Sequence, residues 1–590
     1  MTFEWIKASP AAEVMAAVDA DRMWRMLEYF STLKRDSGKP DEHKACRYIV
    51  QNLSDAGVPH DLFEFDAYLS HPLSAGLKVY HPRWRQFKAI THSFSGNTPP
   101  AGVAGEVVFI GAPEFYPGMA MDTSLFENVD LRGKIVLAEG LVRPWKTRIA
   151  QQKGALALIN ANVTDQLHNM IVSTAWGMPA SDELHLVPDI PVISIDRNDG
   201  KVLIEMCRQG PVEAVVQTQT EKGFFPLLLP VAKIGGQSSE DFILIHGHID
   251  SWHVGITDNA TGNATKLELA RLFHRHRHQL KRGIIFAWWP GHSTGRYAGS
   301  TWYSDQFWQI IYEHAVVDIN VDSTGVRGAF EISPKQTYEL EPFIQSVVSH
   351  FIKQDSLSQN CRLGSLSRQG RHADQSFWAN CGSNIRLDSM IPEGHPDRVK
   401  VGGSGGGWWW HTEHDTLDKA DPDILKRDTR LLAAVAAGLA NATVLPMDHR
   451  RVASRLLKRL EQLKQSCKGA YDFSGSISAA NELAADCMKL FDRAQKAKSS
   501  NNPQEHAMVN RVMMKLNRIL TPALLTDRPN HRHQPAQPGP DLPGLSPATR
   551  LAALDPESDQ ARFLKCQLKR EENRLISAVA QARELIAAVL

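Results

Sequence analysis

Short apolar segments that alternate with a helical pattern constrain the fold of this chain more than any other feature. Between residues 260 and 273 apolar side chains recur every three or four positions, which predicts a helix. It lies between the first two of four segments with the length of buried strands, FILIHGH (242–248), GIIFAWW (283–289), AVVDINV (315–321) and NIRLD (384–388). Because strands that alternate with helices form sheets covered on both faces, we predict an α/β core with a mixed, mostly parallel sheet.

The regions on either side of this core have different patterns. Residues from about 11 to 58 show helical spacing, and residues from about 62 to 216 contain short β-branched runs bounded by glycine. The chain is helical again from about residue 447, apart from a proline-rich connector at 528–547 that should be extended. At 590 residues the chain is several times the usual domain size, so several domains are expected.

Charge and composition exclude several classes of protein. The 66 Lys and Arg residues nearly balance the 65 Asp and Glu residues, so bulk attraction to nucleic acid is not expected. No apolar stretch reaches about 18 residues, and the start of the sequence has no secretory pattern, so we predict no membrane partner. The 7 cysteines are scattered without a Cys-x-x-Cys motif, which indicates a reducing compartment. We therefore predict a cytoplasmic protein.

The sharpest chemical signal is the segment HGHIDSWHVGITDNATGNA at residues 246–264. His248 ends a predicted strand, Asp250 follows in a His-x-Asp arrangement, and Asp258 precedes the predicted helix. Imidazole and carboxylate are ligands that zinc accepts, and a nearby second carboxylate can orient the histidine. Taken alone, Asp258 is more simply a helix N-cap and His248 a packed histidine. Together, at strand ends where α/β sheets place their ligands, they favour a metal site.

Three further segments bring groups of ligand type to strand ends or to a late loop. Asp322 follows AVVDINV, His292 follows GIIFAWW, and WWWHTEHDTLDK supplies His411, Glu413, His414 and Asp415. A single aspartate at a strand end is usually a turn residue, and a single histidine in a tryptophan-rich loop usually packs. Several such groups at corresponding ends of separate elements indicate a shared site.

These motifs resemble the co-catalytic zinc aminopeptidase family that includes glutamate carboxypeptidase II and the transferrin receptor. The core resemblance lies in HIDSW, TDNATGNATKLELAR, INVDSTG and WHTEHDTLDK. VDLRGKIVLAEG and IPVISIDRNDG are similar to the inserted protease-associated domain of that family, and the C-terminal helices resemble its dimerisation domain. The resemblance implies a homodimer and four parts, namely an N-terminal helical part of a metallopeptidase-like core, a β-rich protease-associated domain, the catalytic core and a helical domain, at residues 1–65, 66–222, 223–446 and 447–590.

The resemblance also implies roles for individual residues. His248 and Asp322 match ligands of one metal, and Asp258 matches the carboxylate that bridges two metals. His411 matches the histidine of the second metal, and Asp250 matches the aspartate that orients His248. The expected cofactor is one or two divalent ions, zinc first, with manganese or iron as alternatives.

The chain departs from the family where the general base is expected. The family has Trp-x-x-Glu-Glu after the second strand, whereas this chain has Trp289, Pro290, Gly291, His292 and Ser293. A register counted back from residues 298–300 gives Ser293 and Thr294 instead. Neither register provides a carboxylate.

His292 is open to three interpretations. It replaces the missing glutamate as a ligand of the second metal, or it acts as the acid/base, since imidazole transfers protons near neutral pH. In the third, the second site is lost and the protein is a non-catalytic relative, like the transferrin receptor. The other four ligands are all present, which favours an active enzyme. Glu413 and His414 are substitute bases.

The residues that could contact a substrate also follow from the resemblance. The tyrosine that stabilises the transition state in the family is Trp410 here, whose indole N–H could donate in its place or merely line a pocket. SRQGRHADQSF resembles the substrate-side loop, with Asp374 at the position of its usual aspartate. Arg368, Arg371 and Arg386 could bind a substrate carboxylate or form ordinary salt bridges.

The sequence therefore predicts a metal-dependent hydrolase of an amide or peptide-like bond, acting on a small-molecule or peptide-like substrate. The loss of the glutamate pair argues against ordinary aminopeptidase activity, so a non-standard substrate is expected. The alternative is a non-catalytic binding or scaffold protein that retains the fold.

Overall fold

The computed structural model describes residues 10–113, 124–127, 129–237, 239–370, 374–536 and 539–590. Its strands are β1 (His60–His81), β2 (Arg85–Phe87), β3 (Ile90–Thr91), β4 (Val103–Phe109), β5 (Ile135–Glu139), β6 (Ala157–Ala161), β7 (Val192–Ile195), β8 (Glu213–Ile234), β9 (Phe242–His248), β10 (Gly283–Trp289), β11 (Ala315–Asn320), β12 (Glu331–Gln336), β13 (Arg362–Leu363) and β14 (Asn384–Met390).

The α-helices of the described residues fall into three groups along the chain. The N-terminal and inserted parts contain α1 (Ala11–Ala16), α2 (Ala20–Phe30), α3 (Pro40–Asp55), α4 (Ser124–Glu127), α5 (Pro144–Gln152) and α6 (Arg197–Gln209). The core contains α7 (Thr261–Arg275), α8 (His292–Gly295), α9 (Ala298–Gln306), α10 (Trp308–His314), α11 (Glu341–Gln354) and α12 (Pro422–Asn441). The C-terminal part contains α13 (His449–Ser466), α14 (Ser474–Lys498), α15 (Pro503–Leu525) and α16 (Asp559–Ala587).

The centre of the core is a block of parallel strands. β10, β9, β11 and β14 are parallel neighbours in this order, and antiparallel β12 continues the sheet beyond β14. Every residue of β9 and β11 is buried, because helices cover both faces of the sheet. The predicted α/β fold class is confirmed, and the four apolar segments form β9, β10, β11 and β14.

Two long strands connect the core to the inserted β-rich part. β1 and β8 are 22 residues each and pair in antiparallel fashion along nearly their whole length. The end of β8 pairs with β10, whereas its start pairs with β4, from which the parallel strands β5, β6 and β7 follow. The boundaries predicted at residues 65 and 222 therefore fall inside continuous strands. The inserted part is held by a shared sheet rather than by a flexible linker.

The C-terminal helices pack around a separate apolar core. Leu456, Leu483, Leu516 and Leu568 of α13 to α16 are among its buried residues. α15 ends at Leu525 and a 3-10 helix begins at Ser546, so most of the described part of the proline-rich connector lies between these two helices. Among the described residues, no helix combines the length and the apolar character that crossing a membrane requires. All 7 cysteines are free thiols.

Candidate metal centre

The predicted ligands meet at the carboxyl edge of the parallel strands. His248 is the last residue of β9, and Asp322 lies two residues beyond the end of β11. One ligand atom each from His248, Asp258 and Asp322 lie within 4.8 Å of one another, and all three residues are buried. Parallel strands that end at one edge therefore bring together groups that are far apart in the sequence.

Asp258 is the central group of this arrangement. Its Oδ1 lies 3.0 Å from Nε2 of His248, and its Oδ2 lies 3.0 Å from Nε2 of His411. Each carboxylate oxygen thus faces a different imidazole. We call His248, Asp258, Asp322 and His411 the metal corner.

The backbone fixes the orientation of both histidines. Nδ1 of His248 donates to the carbonyl oxygen of Asp250 at 2.9 Å, and Nδ1 of His411 donates to the carbonyl oxygen of Asn169 at 2.7 Å. The other ring nitrogen, Nε2, is therefore the one directed at Asp258 in each case. Hydrogen bonds of this kind set the tautomer in which imidazole binds a metal. Asn169 belongs to the inserted part, so that part completes the site.

The electrostatics of the metal corner favour bound positive charge. Burial alone would lower the pKa of His248, but hydrogen bonds to Asp250 and Asp258 raise it well above its usual value. Burial opposes ionisation of Asp258, yet His248 and His411 lower its pKa well below the usual range. A divalent cation could replace the proton of His248, because metal binding to such groups is coupled to proton release. The donor set of imidazole and carboxylate fits zinc.

Asp415 anchors the turn that carries Asp258. Its Oδ1 accepts from the backbone N–H of Thr257 at 2.9 Å and from the Thr257 hydroxyl at 2.7 Å. Its Oδ2 accepts from the N–H of Asp258 at 3.0 Å. Burial raises the pKa of Asp415 to about 7, in spite of these hydrogen bonds. Asp415 thus links the late loop to the turn.

Asp250 binds the first residues of α8 as well as contacting the ring of His248. Its carboxylate oxygens accept from the N–H groups of His292 at 3.2 Å and Ser293 at 2.7 Å, and Ser37 donates a third hydrogen bond at 2.7 Å. Its Oδ1 lies 3.7 Å from Nδ1 of His248. The preceding Gly291 has a φ of 70°, and a Cβ there would lie 3.0 Å from that of Ala298. Glycine therefore permits the turn that presents His292.

His292 forms a pair with Asp374. Its Nδ1 lies 2.8 Å from Oδ2 of Asp374, and its ring stacks on that of His248 with centroids 3.9 Å apart. Ser300 donates to the other oxygen of Asp374 at 3.1 Å. Burial opposes ionisation of Asp374, but the charge and hydrogen bond of His292 lower its pKa. Since an ionised carboxylate only accepts, Nδ1 of His292 donates this hydrogen bond, and Nε2 is not part of it.

The remaining predicted residues have varied surroundings. The ring of Trp410 stacks on His411 at 3.6 Å and lines a cavity above the metal corner. Glu413 is exposed and is not among the described lining residues, so the geometry gives no support to it as a base. Asp374 lies behind His292 rather than on the cavity surface. Arg371 lies outside the described residues.

Two of the predicted arginines have carboxylate partners. Nε of Arg368 lies 2.8 Å from Oδ1 of Asp541. Arg386 contacts Asp322 at 3.3 Å and also pairs with Asp388. Burial opposes the charge of Arg386, but these carboxylates raise its pKa above the usual value. Arg386 therefore holds Asp322 in place.

The cavity above the metal corner has a volume of about 1720 Å³, and basic residues outnumber acidic residues in its lining. Its described lining includes thirteen Lys or Arg residues but five Asp or Glu residues, although the whole chain has a net charge of +1. Arg143 and Arg296 line it from different parts of the chain. Burial and the neighbouring charge of Arg296 lower the pKa of Arg143 to about 10. Among the described residues, no carboxylate forms an ion pair with either arginine.

Sequence reasoning missed Arg143, Arg296 and Asn169. Arg143 directly precedes α5 and Asn169 lies in a loop, both in the inserted part, and Arg296 lies between α8 and α9. None carried a motif of its own. Arg296 lies four residues beyond His292, so its proximity to the site was the one available signal.

Fold and site together define a metallopeptidase core with an inserted β-rich domain. Residues 231–436 match peptidase family M28, and residues 103–203 match the PA domain. The chain therefore carries an M28 peptidase core with a PA domain, which places it among hydrolytic enzymes. The family resemblance predicted from the motifs is confirmed.

Individual relatives are distant in sequence. The chain is 21% identical over 586 residues to the probable glutamate carboxypeptidase VP8 of Zea mays, covering 86% of this chain and 78% of the relative. It is 26% identical over 336 residues to aminopeptidase NAALADL1 of Rattus norvegicus, covering 51% and 44%. The solved structure of an aminopeptidase from Aneurinibacillus sp. strain AM-1 matches with a TM-score of 0.53 at 22% identity, covering 73% of this chain and 96% of that one. The structural match supports the fold.

Proposed function

We propose that the chain is a metal-dependent hydrolase that cleaves an amide or peptide-like bond in an anionic substrate, with His292 as its acid/base. The observation that carries this proposal is the position of Asp258. Its two carboxylate oxygens each lie 3.0 Å from a different imidazole, His248 and His411. This pairing suits two divalent cations that share one carboxylate, with zinc as the expected metal and manganese or iron as alternatives.

The residues of the metal corner divide the work of holding the metal. His248 and Asp322 would hold one cation, His411 would hold the other, and Asp258 would contact both. A metal held there supplies Lewis acidity, which polarises a carbonyl group and activates water. Asp415 and the backbone carbonyls of Asp250 and Asn169 keep these ligands oriented, so little reorganisation is needed on binding.

The position of His292 supports a role as acid/base rather than as a ligand. Among the described residues, the group whose ligand atoms lie within 4.8 Å of one another consists of His248, Asp258 and Asp322, and it does not include His292. Nδ1 of His292 is bound to Asp374, so the lone pair of Nε2 can accept a proton from the attacking water and return it to the leaving amine. Asp374 would hold the ring in place and stabilise the imidazolium that forms.

The substrate is expected to carry negative charge close to the cleaved bond. Arg143 and Arg296 face the same cavity as His292, and neither has a carboxylate partner among the described residues. Two adjacent guanidinium groups without a counter-ion repel each other, and a substrate carboxylate would relieve this repulsion. Trp410 would contact the substrate beside His411, where its indole is part of the cavity wall.

A panel of amide substrates tests this proposal. The purified chain, loaded with zinc, manganese or iron, is incubated with acidic and neutral dipeptides and with N-acyl amino acids, and amine release is measured. We expect metal-dependent cleavage of acidic members, loss of cleavage on chelation, and at most weak cleavage of neutral members. Protein that holds metal but releases no amine from any member would refute the hydrolase and favour a binding protein.

Oligomeric state and cellular location stay predictions. The helical C-terminal part motivates a homodimer, and the 7 free cysteines motivate a reducing compartment such as the cytoplasm. Mass measurement in solution at micromolar concentration tests the first, and a monomer would refute it.

A further inference from the structure

The basic side chains of the cavity are not confined to the neighbourhood of the metal corner. One wall of the cavity is formed by α13 of the C-terminal helical part, which contributes Arg455, Lys458 and Arg459. Residues three and four apart lie on one face of a helix, so these three side chains share the face of α13 that lines the cavity. Arg368, from the core, lines the same wall. We call Arg368, Arg455, Lys458 and Arg459 the distal basic group.

One carboxylate, that of Asp541, lies within this group and fixes two of its members. Arg368 forms an ion pair with Oδ1 of Asp541 at 2.8 Å, and the Tyr338 hydroxyl donates to Oδ2. Arg459 donates to the main-chain oxygen of Asp541 at 2.9 Å and to the Ser546 hydroxyl at 2.9 Å. These contacts hold Arg368 and Arg459 in defined positions.

The other two members, Arg455 and Lys458, have no negatively charged partner in the part of the chain that the structure describes. The guanidinium of Arg455 lies 5.1 Å from the centroid of the Tyr338 ring, which orients it over that ring. Among the described residues, neither Arg455 nor Lys458 forms an ion pair with a carboxylate. Four basic side chains around Asp541 leave an excess of three positive charges on this wall. In a cleft such an excess concentrates anions, because the cavity walls focus the field.

We propose that the distal basic group is a second anion-binding subsite, which takes a dianionic group of the substrate, a phosphate or a dicarboxylate, away from the cleaved bond. This inference rests on the proposed function, since the substrate is that of the same cavity. A dianion neutralises two of the three excess charges, whereas a single carboxylate neutralises one. Guanidinium groups bind phosphate and carboxylate oxygens through paired, charge-assisted hydrogen bonds, and the ammonium of Lys458 adds a point charge.

Calorimetric titration of the full-length, metal-loaded chain tests the subsite. Inorganic phosphate and succinate are titrated into the wild type and into the double variant Arg455→Gln/Lys458→Gln. The matched control is Arg451→Gln/Lys464→Gln, which removes the same charge from positions of α13 that are exposed, as Arg455 and Lys458 are, but that are not among the described lining residues. We expect affinity for the dianion to fall about tenfold or more in the first variant and by less than about twofold in the control.

Each outcome decides the proposal. If Arg455→Gln/Lys458→Gln weakens phosphate binding and the control does not, the result supports a phosphate subsite. If the same variant weakens succinate binding and the control does not, the result supports a dicarboxylate subsite. Equal weakening in both double variants would show a general field effect and would overturn the subsite, as would a wild type that binds neither anion. Phosphate that binds at the metal corner contributes equally to all three proteins, so their difference reports the distal group.

Failure of the hydrolase proposal would look different. It would appear as a wild type that holds no metal or cleaves no amide, whatever the anion affinities of the variants. Metal content is measured on all three proteins beside the titrations, and it is expected to be the same, because α13 contributes no ligand to the metal corner.

Discussion

The metal corner and the basic side chains of the same cavity differ in how their charges are paired. In the metal corner every charged group has a protein partner, and Asp258 alone faces two imidazoles at 3.0 Å. The basic side chains include Arg143, Arg296 and Lys458, which have no carboxylate partner among the described residues. The first arrangement is preorganised for a cation of fixed geometry, and the second leaves its charge available for a ligand. We therefore expect reaction chemistry and substrate choice to depend on different side chains of the site.

Removal of the shared carboxylate should have the largest effect. Asp258→Asn leaves the shape of the site but removes the charge that both histidines face, so we expect loss of bound metal and a fall in kcat of about 1000-fold or more. Metal analysis and amine release measure the two effects. Asp55→Asn, at an exposed position, is the control and should change neither. Full metal occupancy with retained activity in Asp258→Asn would show that the metal corner does not depend on Asp258.

Variants of the His292 and Asp374 pair test whether His292 acts as the acid/base or belongs to the metal ligands. His292→Ala should retain the metal content of the wild type while kcat falls about 100-fold or more, because the acid/base is lost. Asp374→Asn should lower kcat about 10-fold to 100-fold, since the ring loses its orienting partner. Loss of one metal equivalent in His292→Ala would instead identify His292 as a ligand. A purely structural role of His292 would not lower kcat while leaving the metal content unchanged.

Neutralisation of Arg143 and Arg296 tests the side of the cavity that binds the substrate. In Arg143→Gln/Arg296→Gln we expect KM for an acidic substrate to rise about 30-fold, the value of one to two charge-assisted hydrogen bonds, with little change in kcat. Thermal stability should be unchanged or higher, because the two guanidinium groups repel each other. Arg83→Gln/Arg132→Gln, at exposed positions outside the described cavity lining, is the charge-matched control. An unchanged KM, or a fall in kcat alone, would contradict this assignment.

Two buried histidines outside the described cavity lining, His92 and His449, provide a further test with a smaller expected effect. Burial lowers the pKa of His92 to about 3 and that of His449 to about 4, whereas the carboxylates of the metal corner raise the pKa of His248. A histidine whose pKa is lower in the folded state takes up its proton first in the unfolded state. Stability is therefore fully present above the unfolded pKa of about 6.5 and falls as the pH drops below it, by at most about 1.4 kcal/mol per unit for each group.

The measurement is the unfolding free energy between pH 7 and pH 5 for the wild type and for His449→Asn. The variant should show a shallower decline, and His278→Asn, at an exposed position, should follow the wild type. Identical slopes for wild type and His449→Asn would show that His449 is not held neutral by the fold.

The fold was predictable where local pattern and tertiary structure agree. β9, β10 and β11 are mostly apolar because strands buried on both faces need mostly apolar residues, whereas β14 also contains Asn384, Arg386 and Asp388. The boundaries of the inserted part were harder to predict from the sequence. β1 and β8 run through the predicted boundaries at 65 and 222, since nothing in a strand sequence records which sheet each half of it joins.

The candidate site was predictable only in part, because some of its contacts join segments that are far apart in the sequence. His248, Asp258, Asp322 and His411 lie in motifs, and each motif has its own local signal. The partner of His411 is the backbone of Asn169, and Asp541 meets Arg368 from a different part of the chain. Such contacts depend on how distant segments pack and leave no spacing pattern. The excess of positive charge in the cavity is also hidden by the overall balance of 66 basic and 65 acidic residues.

A crystal structure of the zinc-loaded chain, with anomalous scattering recorded at the zinc edge, tests the central claim most directly. We predict two anomalous peaks beside Asp258, one contacted by His248 and Asp322 and the other by His411, with Nδ1 of His292 still bonded to Asp374. No peak at Asp258, or Nε2 of His292 coordinated to a metal, would contradict the account.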